Sequence, residues 1–237
     1  MPIFFILVLI VIVVAVIGLA VWNRRLRDRR RKELAEWARL NEFGFLPAED
    51  YSIGSHYQFF KCLQRGDNRY GYNIMEGISG KRVVCAFDYH YETHSSDSKG
   101  NRQTHHHHFS AVVVEAGLPL KPLFIRPEGF LDKVTEFVGF DDIDFESAEF
   151  SKRFFVKSPD RCWAYDVLHQ ATMELMLCYP RFSIDFQVSQ IMAYWDNKTF
   201  SLGDFGSALK VVTGILDGLP DSVVREMKGI CSGGQPS

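Results

Sequence analysis

Hydrophobic and polar positions divide this chain sharply near its start. Residues 3–22 carry no charge and are nearly all Ile, Val, Leu or Phe. As a helix rising ~1.5 Å per residue, such a run covers the ~30 Å hydrocarbon core of a bilayer. Trp22 falls where an interfacial aromatic sits, and Arg24, Arg25, Arg27, Arg29, Arg30, Arg31 and Lys32 follow at once. A cleaved signal peptide carries its positive charge before a shorter apolar region. Here only Met1 and Pro2 precede the run, so the small-residue triplet Gly18-Leu19-Ala20 is not read as a cleavage site. The excess of basic residues after the span places the C-terminal bulk in the cytoplasm and the N-terminus outside.

Beyond the arginines the apolar period is helical. Leu34, Trp37, Ala38 and Leu40 recur at spacings near three and four, so the membrane helix extends toward residue 41, with Gly44 and Pro47 as stop signals. Residues 51–64 read equally as a short helix or an irregular aromatic segment. From Arg69 the period becomes two. Tyr70, Tyr72 and Ile74 alternate with smaller or polar residues, residues 77–80 form a turn, and Val83, Cys85, Phe87, Tyr89 and Tyr91 line one face of a second strand. A polar loop over residues 95–101 leads to a third strand at about 102–115, and residues 123–126 add a fourth.

Further along, residues 154–157 read as a strand. Ser158 as N-cap with Pro159 at the first helical position then starts a helix burying Ala164, Val167, Leu168, Ala171 and Leu175, which Pro180 ends. Residues 182–191 and 192–195 return to strand. A helix from Asp204 turns Phe205, Ala208, Leu209, Val212, Ile215 and Leu216 inward, Gly218 and Pro220 close it, and a short helical piece covers residues 222–230. The expected fold is α+β, an antiparallel sheet packed with a few helices behind one N-terminal transmembrane helix. Its organisation is a span at 1–23, a basic flank and helical connector at 24–47, a cytoplasmic domain at 48–230 and a disordered tail at 231–237.

Charge and cysteine content narrow the function classes. Residues 24–32 hold seven of the 27 bases and one of the 29 acids, leaving 20 bases against 28 acids elsewhere. An acidic body argues against nucleic acid as a partner, which requires clustered Lys and Arg. It also predicts a domain held off anionic headgroups by its linker. Cys62, Cys85, Cys162, Cys178 and Cys231 are odd in number and contain no C-x-x-C pair. They describe neither a disulfide framework nor a zinc ribbon, which suits a reducing cytoplasm.

The stretch Phe87-Asp88-Tyr89-His90-Tyr91-Glu92-Thr93, then Pro127-Glu128, then Phe150-Ser151 with Phe154, Val156, Asp160, Ala164, Tyr165 and Leu168, resembles a pattern in uncharacterised bacterial single-span membrane-anchored domains. The resemblance implies a bacterial origin and an anchored architecture, and it brings no activity to any residue.

Histidine supplies the candidate chemistry, because six of the eight fall between residues 90 and 108. His90-x-Glu92-x-His94 lacks the order of a zincin helix, and on a strand His90 and His94 lie ~13 Å apart. A hairpin placing His90 opposite His107 sets Glu92 opposite His105, and those four side chains then share a face and suit Zn²⁺. A slip of one residue breaks that set. Asp141, Asp142 and Asp144 lack the spacing and glycine of a calcium loop. No P-loop, Rossmann glycine pattern or nucleophile elbow is present. The seven basic residues from Arg24 to Lys32 form the membrane-surface contact, and each contributes ~1 kcal/mol to attraction by anionic lipid.

The sequence therefore predicts a non-enzymatic interaction module without cofactor, tethered to the bacterial inner membrane, with the bilayer and a cytoplasmic protein as partners. The alternative is a metal-dependent enzyme or metal-binding domain built on His90, Glu92, His105 and His107.

Overall fold

The first helix does not end at the arginines. In the computed structural model, which describes residues 2–97, 100–129 and 143–229, α1 (Pro2–Leu40) runs unbroken from the apolar segment through the basic flank. It is a helix long and apolar enough to cross a membrane, and no other described helix is. Its C-terminal third belongs to the domain. Leu34 and Ala38 are completely buried, and the Trp37 ring packs against Phe43 and Phe205 at 5.7 and 6.0 Å. The segment read as a connector is thus core, because Leu34 and Ala38 recur on one helical face. Leu40, off that face, is exposed. The helix stops before Gly44: Glu42 takes a left-handed backbone (φ 59°) and the Phe43 N–H bonds back to the Ala38 carbonyl at 2.8 Å, satisfying a terminal carbonyl.

The remaining elements are β1 (Gly44–Leu46), α2 (Ile53–His56), a 3-10 turn (Lys61–Gln64), β2 (Asp67–Ser79), β3 (Arg82–Ser96), β4 (Arg102–Glu115), β5 (Leu123–Pro127), α3 (Ala148–Arg153), β6 (Phe154–Lys157), α4 (Arg161–Val167), α5 (Gln170–Leu177), β7 (Ser183–Gln187), β8 (Gln190–Tyr194), α6 (Leu202–Asp217) and α7 (Asp221–Met227). The strands form one eight-stranded sheet in the order β1-β2-β3-β4-β8-β7-β5-β6, with every neighbouring pair antiparallel. The α+β architecture expected from the alternation is the one observed, and its short edge strands β1 and β6 limit the unpaired backbone exposed.

Both faces of the central strands are covered. Val84, Ala86, Val112 and Val114 point into a core shared with Leu34 and Ala38 of α1 and with Phe205, Ala208, Val212 and Ile215 of α6. On the other face Cys85, Phe87, Tyr89 and Tyr91 of β3 meet Phe109, Ala111 and Val113 of β4 beneath Ile53, Tyr57, Phe60 and Leu63. Val83, expected with that second set, lies at the strand end and is exposed.

Two helix readings change. The helix after β6 is capped by Asp160, whose carboxylate accepts the Trp163 N–H at 3.0 Å, whereas Ser158 donates to the Pro122 carbonyl at 2.8 Å. That segment is also two helices, α4 and α5, broken around Leu168 and His169, so Trp163, Met173 and Met176 are buried while Ala171 is exposed. Asp141 and Asp142, and the 231–237 tail, lie outside the described residues.

Candidate functional site

Polar chemistry gathers where the face beneath α1 ceases to be apolar. Along β3 that face continues from Ala86 to Asp88, His90 and Glu92. Along β4 it continues from Val112 to Ser110, His108 and His106, and the strands pair in that register: Asp88 with Ser110, His90 with His108, Glu92 with His106. Asp88 is fully buried, yet both of its carboxylate oxygens are saturated. Arg30 of α1 donates from Nη2 to Oδ1 at 2.7 Å and from Nε to Oδ2 at 2.9 Å. Asn73 Nδ2 donates to Oδ2 at 2.9 Å, and the Ser110 hydroxyl donates to Oδ1. Arg30 Nη1 also reaches the Phe200 carbonyl at 2.9 Å, and the Phe200 N–H donates to Ser110 at 2.8 Å. This is a bidentate guanidinium–carboxylate pair whose buried carboxylate has both oxygens bonded, the condition under which such a charge is tolerated inside a domain. Burial opposes the charge on Arg30, but the hydrogen bonds and charge of Asp88 outweigh it and hold the guanidinium above its ordinary pKa.

Beside this pair lies a cleft of about 610 Å³, lined on the helix by Arg27, Arg30 and Arg31 and on the sheet side by Tyr70, Tyr72, Asn73 and His108, with Glu49 and Thr199 at its edges. Asn73 occupies the irregularity that shifts the β2–β3 register, with a left-handed backbone (φ 51°). Its side chain is buried, its Nδ2 end is committed to Asp88, and its Oδ1 has no hydrogen-bond partner among the described residues. Tyr72 donates to or accepts from His108 Nδ1 at 3.1 Å, and burial raises the Tyr72 phenol above its ordinary value. His108 is depressed, first by burial and then by the neighbouring His90 and His106.

The histidines converge differently from the expected pairing. The hairpin places His107 opposite Tyr91 and His105 opposite Thr93, on the face away from His90 and Glu92. There His107 stacks on Tyr91 at 4.6 Å and bonds to Thr93 and Asn197 at 2.8 and 2.9 Å, while His105 bonds to Ser95 at 2.9 Å. The residues that join His90 and Glu92 are His106 and, through ring contact, His108. Parity decides this. A register one residue over would put Asp88 opposite Phe109 and deprive its buried carboxylate of Ser110, so the Asp88–Ser110 pairing favours the register found.

The basic cluster divides as well. Arg24, Arg25, Arg29 and Lys32 are exposed, with Arg29 paired to Glu33 at 2.8 Å. Arg27 and Arg31 are exposed but line the cleft, and Arg30 faces the domain. Arg30, expected at the membrane surface with the other six bases, is turned onto Asp88 instead, and Asn73 and Ser110 carried no expected role. A lone Asp within an aromatic strand and a lone Ser within an apolar one were the available signals, since a buried polar group requires a partner.

No protein-family model matches the chain, and no curated protein matches it in sequence. Among solved structures, the mycobacterial trehalose monomycolate transport factor A, TtfA, superposes with a TM-score of 0.58 at 10% sequence identity, covering 80% of this chain and 96% of that one. At that identity the match establishes a shared fold for the sheet and its helices.

Proposed function

We propose that this chain is a membrane-tethered, non-enzymatic interaction module on the cytoplasmic face of the bacterial inner membrane, whose cleft beneath α1 engages membrane components. The observation that carries the reading is the rigid union of α1 with the domain through Arg30 and Asp88. Arg27 follows Trp22 by five residues and Arg30 by eight, so the cleft begins roughly 7 to 12 Å beyond the end of the apolar run. That is the outer edge of the headgroup layer, which adds roughly 5 to 7.5 Å per leaflet beyond the hydrocarbon. The cleft offers arginines for anionic groups and aromatic and amide groups for neutral ones. A solved protein of this fold named as a transport factor for a glycolipid supports a role in handling envelope components through contacts rather than turnover. Kinship with the uncharacterised bacterial single-span domains is part of the same proposal and rests on the residue 87–93 stretch together with Pro127-Glu128 and the pattern from Phe150 to Leu168. The orientation rests on the seven bases that follow the span.

Photo-crosslinking in native membranes tests it. A photoreactive residue replacing Tyr70 in the cleft is expected to yield adducts with lipid or envelope protein, and one replacing the exposed Tyr165 on α4 is not. Equal yields from the two positions would defeat the reading.

A further inference from the structure

Beyond the cleft, and independent of the reading above, we propose that His90, Glu92 and His106 form a Zn²⁺ site at the far end of the β3–β4 hairpin. His90 Nε2 lies 3.2 Å from His106 Nδ1, and His106 Nδ1 lies 3.4 Å from Glu92 Oε1. One such atom from each of the three residues lies within 4.8 Å of the others. Zinc binds imidazole nitrogen at ~2.0–2.1 Å and carboxylate oxygen at ~2.0–2.2 Å in tetrahedral geometry, so two ligand atoms on one ion stand about 3.4 Å apart. Both separations match the edges of that tetrahedron.

Hydrogen bonding prepares the same atoms. His90 Nδ1 is 3.1 Å from the Asn68 carbonyl. A carbonyl only accepts, so Nδ1 carries the proton that faces it and Nε2 is the ring nitrogen left to bind an ion. Asn68 Nδ2 donates to Glu92 Oε1 at 2.7 Å. One residue of β2 therefore orients two ligands on β3, an arrangement typical of metal sites in which outer partners fix tautomer and direction. His106 Nδ1 meets a lone pair on one side and a carboxylate on the other, and a single proton satisfies only one of them. The His106 side chain is 60% exposed and that of Glu92 16%, so ions enter from solvent and a water completes the fourth position. Bound there, the ion ties β3 to β4 beside β2, beyond the last apolar pair of the sheet.

Register makes the test selective, because four consecutive histidines can chelate weakly as a flexible run. The full chain, purified in detergent without a polyhistidine tag, is equilibrated with Zn²⁺ buffered at low free concentration, and bound metal is counted. The expected result is one Zn²⁺ per chain in the parent and in the His105→Ala/His107→Ala double variant, with loss in His106→Ala and in Glu92→Gln. Asn68→Gly, which keeps the left-handed backbone (φ 47°) and the carbonyl but removes the amide, is expected to weaken binding about 10- to 100-fold. His106 is exposed, so its variant retains the parent's near-ultraviolet circular dichroism. No stoichiometric zinc in the parent overturns the proposal. Loss in the His105/His107 double variant, or retention in His106→Ala, overturns it equally.

Discussion

At the scale of single residues, the decisive pair is one whose halves were visible separately. Arg30 sat among seven bases whose collective role, stopping a span and facing lipid, accounted for each member equally. Nothing in composition distinguishes a guanidinium that faces water from one that faces a carboxylate 58 positions away. The helical stripe does: Arg30, Leu34 and Ala38 are each four apart and share a side of α1. The histidines were legible as a cluster but not as a set, since choosing among His105, His106, His107 and His108 turns on strand parity, which the buried Asp88–Ser110 pairing helps to fix. Energetically, removing Arg30 leaves the fully buried Asp88 carboxylate without its compensating charge. Arg30→Met is therefore expected to cost about 3 to 5 kcal/mol. Adding Asp88→Asn to Arg30→Met should recover part of that loss, so that the double variant falls short of the summed single costs by about 0.5 to 3 kcal/mol. Arg30→Lys should not restore the parent, because a point charge cannot hold both Asp88 oxygens and the Phe200 carbonyl. Denaturant unfolding in detergent, followed by tryptophan fluorescence, reads the parent, both single variants, the double variant and Arg30→Lys.

At the scale of elements, alternation and helical period located α1, β2 to β6, the α4–α5 segment, the β7–β8 region, α6 and α7, but neither β1 nor α3, and ends and breaks depended on caps that compete at close range. Ser158 and Asp160 are both good N-cap residues two positions apart. The carboxylate prevails because it reaches the Trp163 N–H while also meeting the Lys121 ammonium at 2.9 Å, and Ser158 is occupied with Pro122. The break between α4 and α5 carries no proline or glycine, so no local signal announced it. At α6 the acidic residue taken as the start, Asp204, is instead the third helical position of a capping box. Ser201 Oγ accepts the Asp204 N–H, and the Asp204 carboxylate accepts the Ser201 N–H at 2.8 Å. α6 supplies Phe205, Ala208, Val212 and Ile215 to the core beneath α1, so fraying at its start is felt by the whole domain. Ser201→Ala is expected to lower stability by about 1 kcal/mol. Its denaturant slope should be unchanged, because the surface exposed on unfolding is the same. A shift above about 2 kcal/mol, or an altered slope, would mean that Ser201 does more than cap.

At the scale of the whole molecule, the unbroken α1 makes the position of the domain a consequence of the position of the span. The acidic surface suggested a body held away from anionic lipid, but burial of Leu34 and Ala38 leaves no flexible tether between them. Orientation then fixes which compartment the cleft faces, and the chain's own thiols can report it. Cys162 and Cys178 are exposed, whereas Cys62 and Cys85 are buried. Burial, against the opposing hydrogen bond with Tyr57 and aided by the charge of Glu76, pushes the Cys85 thiol up to about 12. The thiolate is the reacting form, so near neutral pH Cys85 is protected by chemistry as well as by access. With Cys231 replaced by serine, a membrane-impermeant maleimide should leave the protein unlabelled in intact spheroplasts. In inverted vesicles it should modify Cys162 and Cys178, and Cys62 and Cys85 should react only after denaturation. Labelling of Cys162 in intact spheroplasts would place the domain outside the cytoplasm. It would refute the inference from the seven bases, and the cleft would then face the other leaflet with its fold unchanged. The same vesicles separate access from reactivity: raising the pH of native inverted vesicles toward 9 should speed modification of Cys162 and Cys178 while Cys85 stays unmodified, because about three units below its pKa its thiolate fraction is still only on the order of one in a thousand and the sheet shields it.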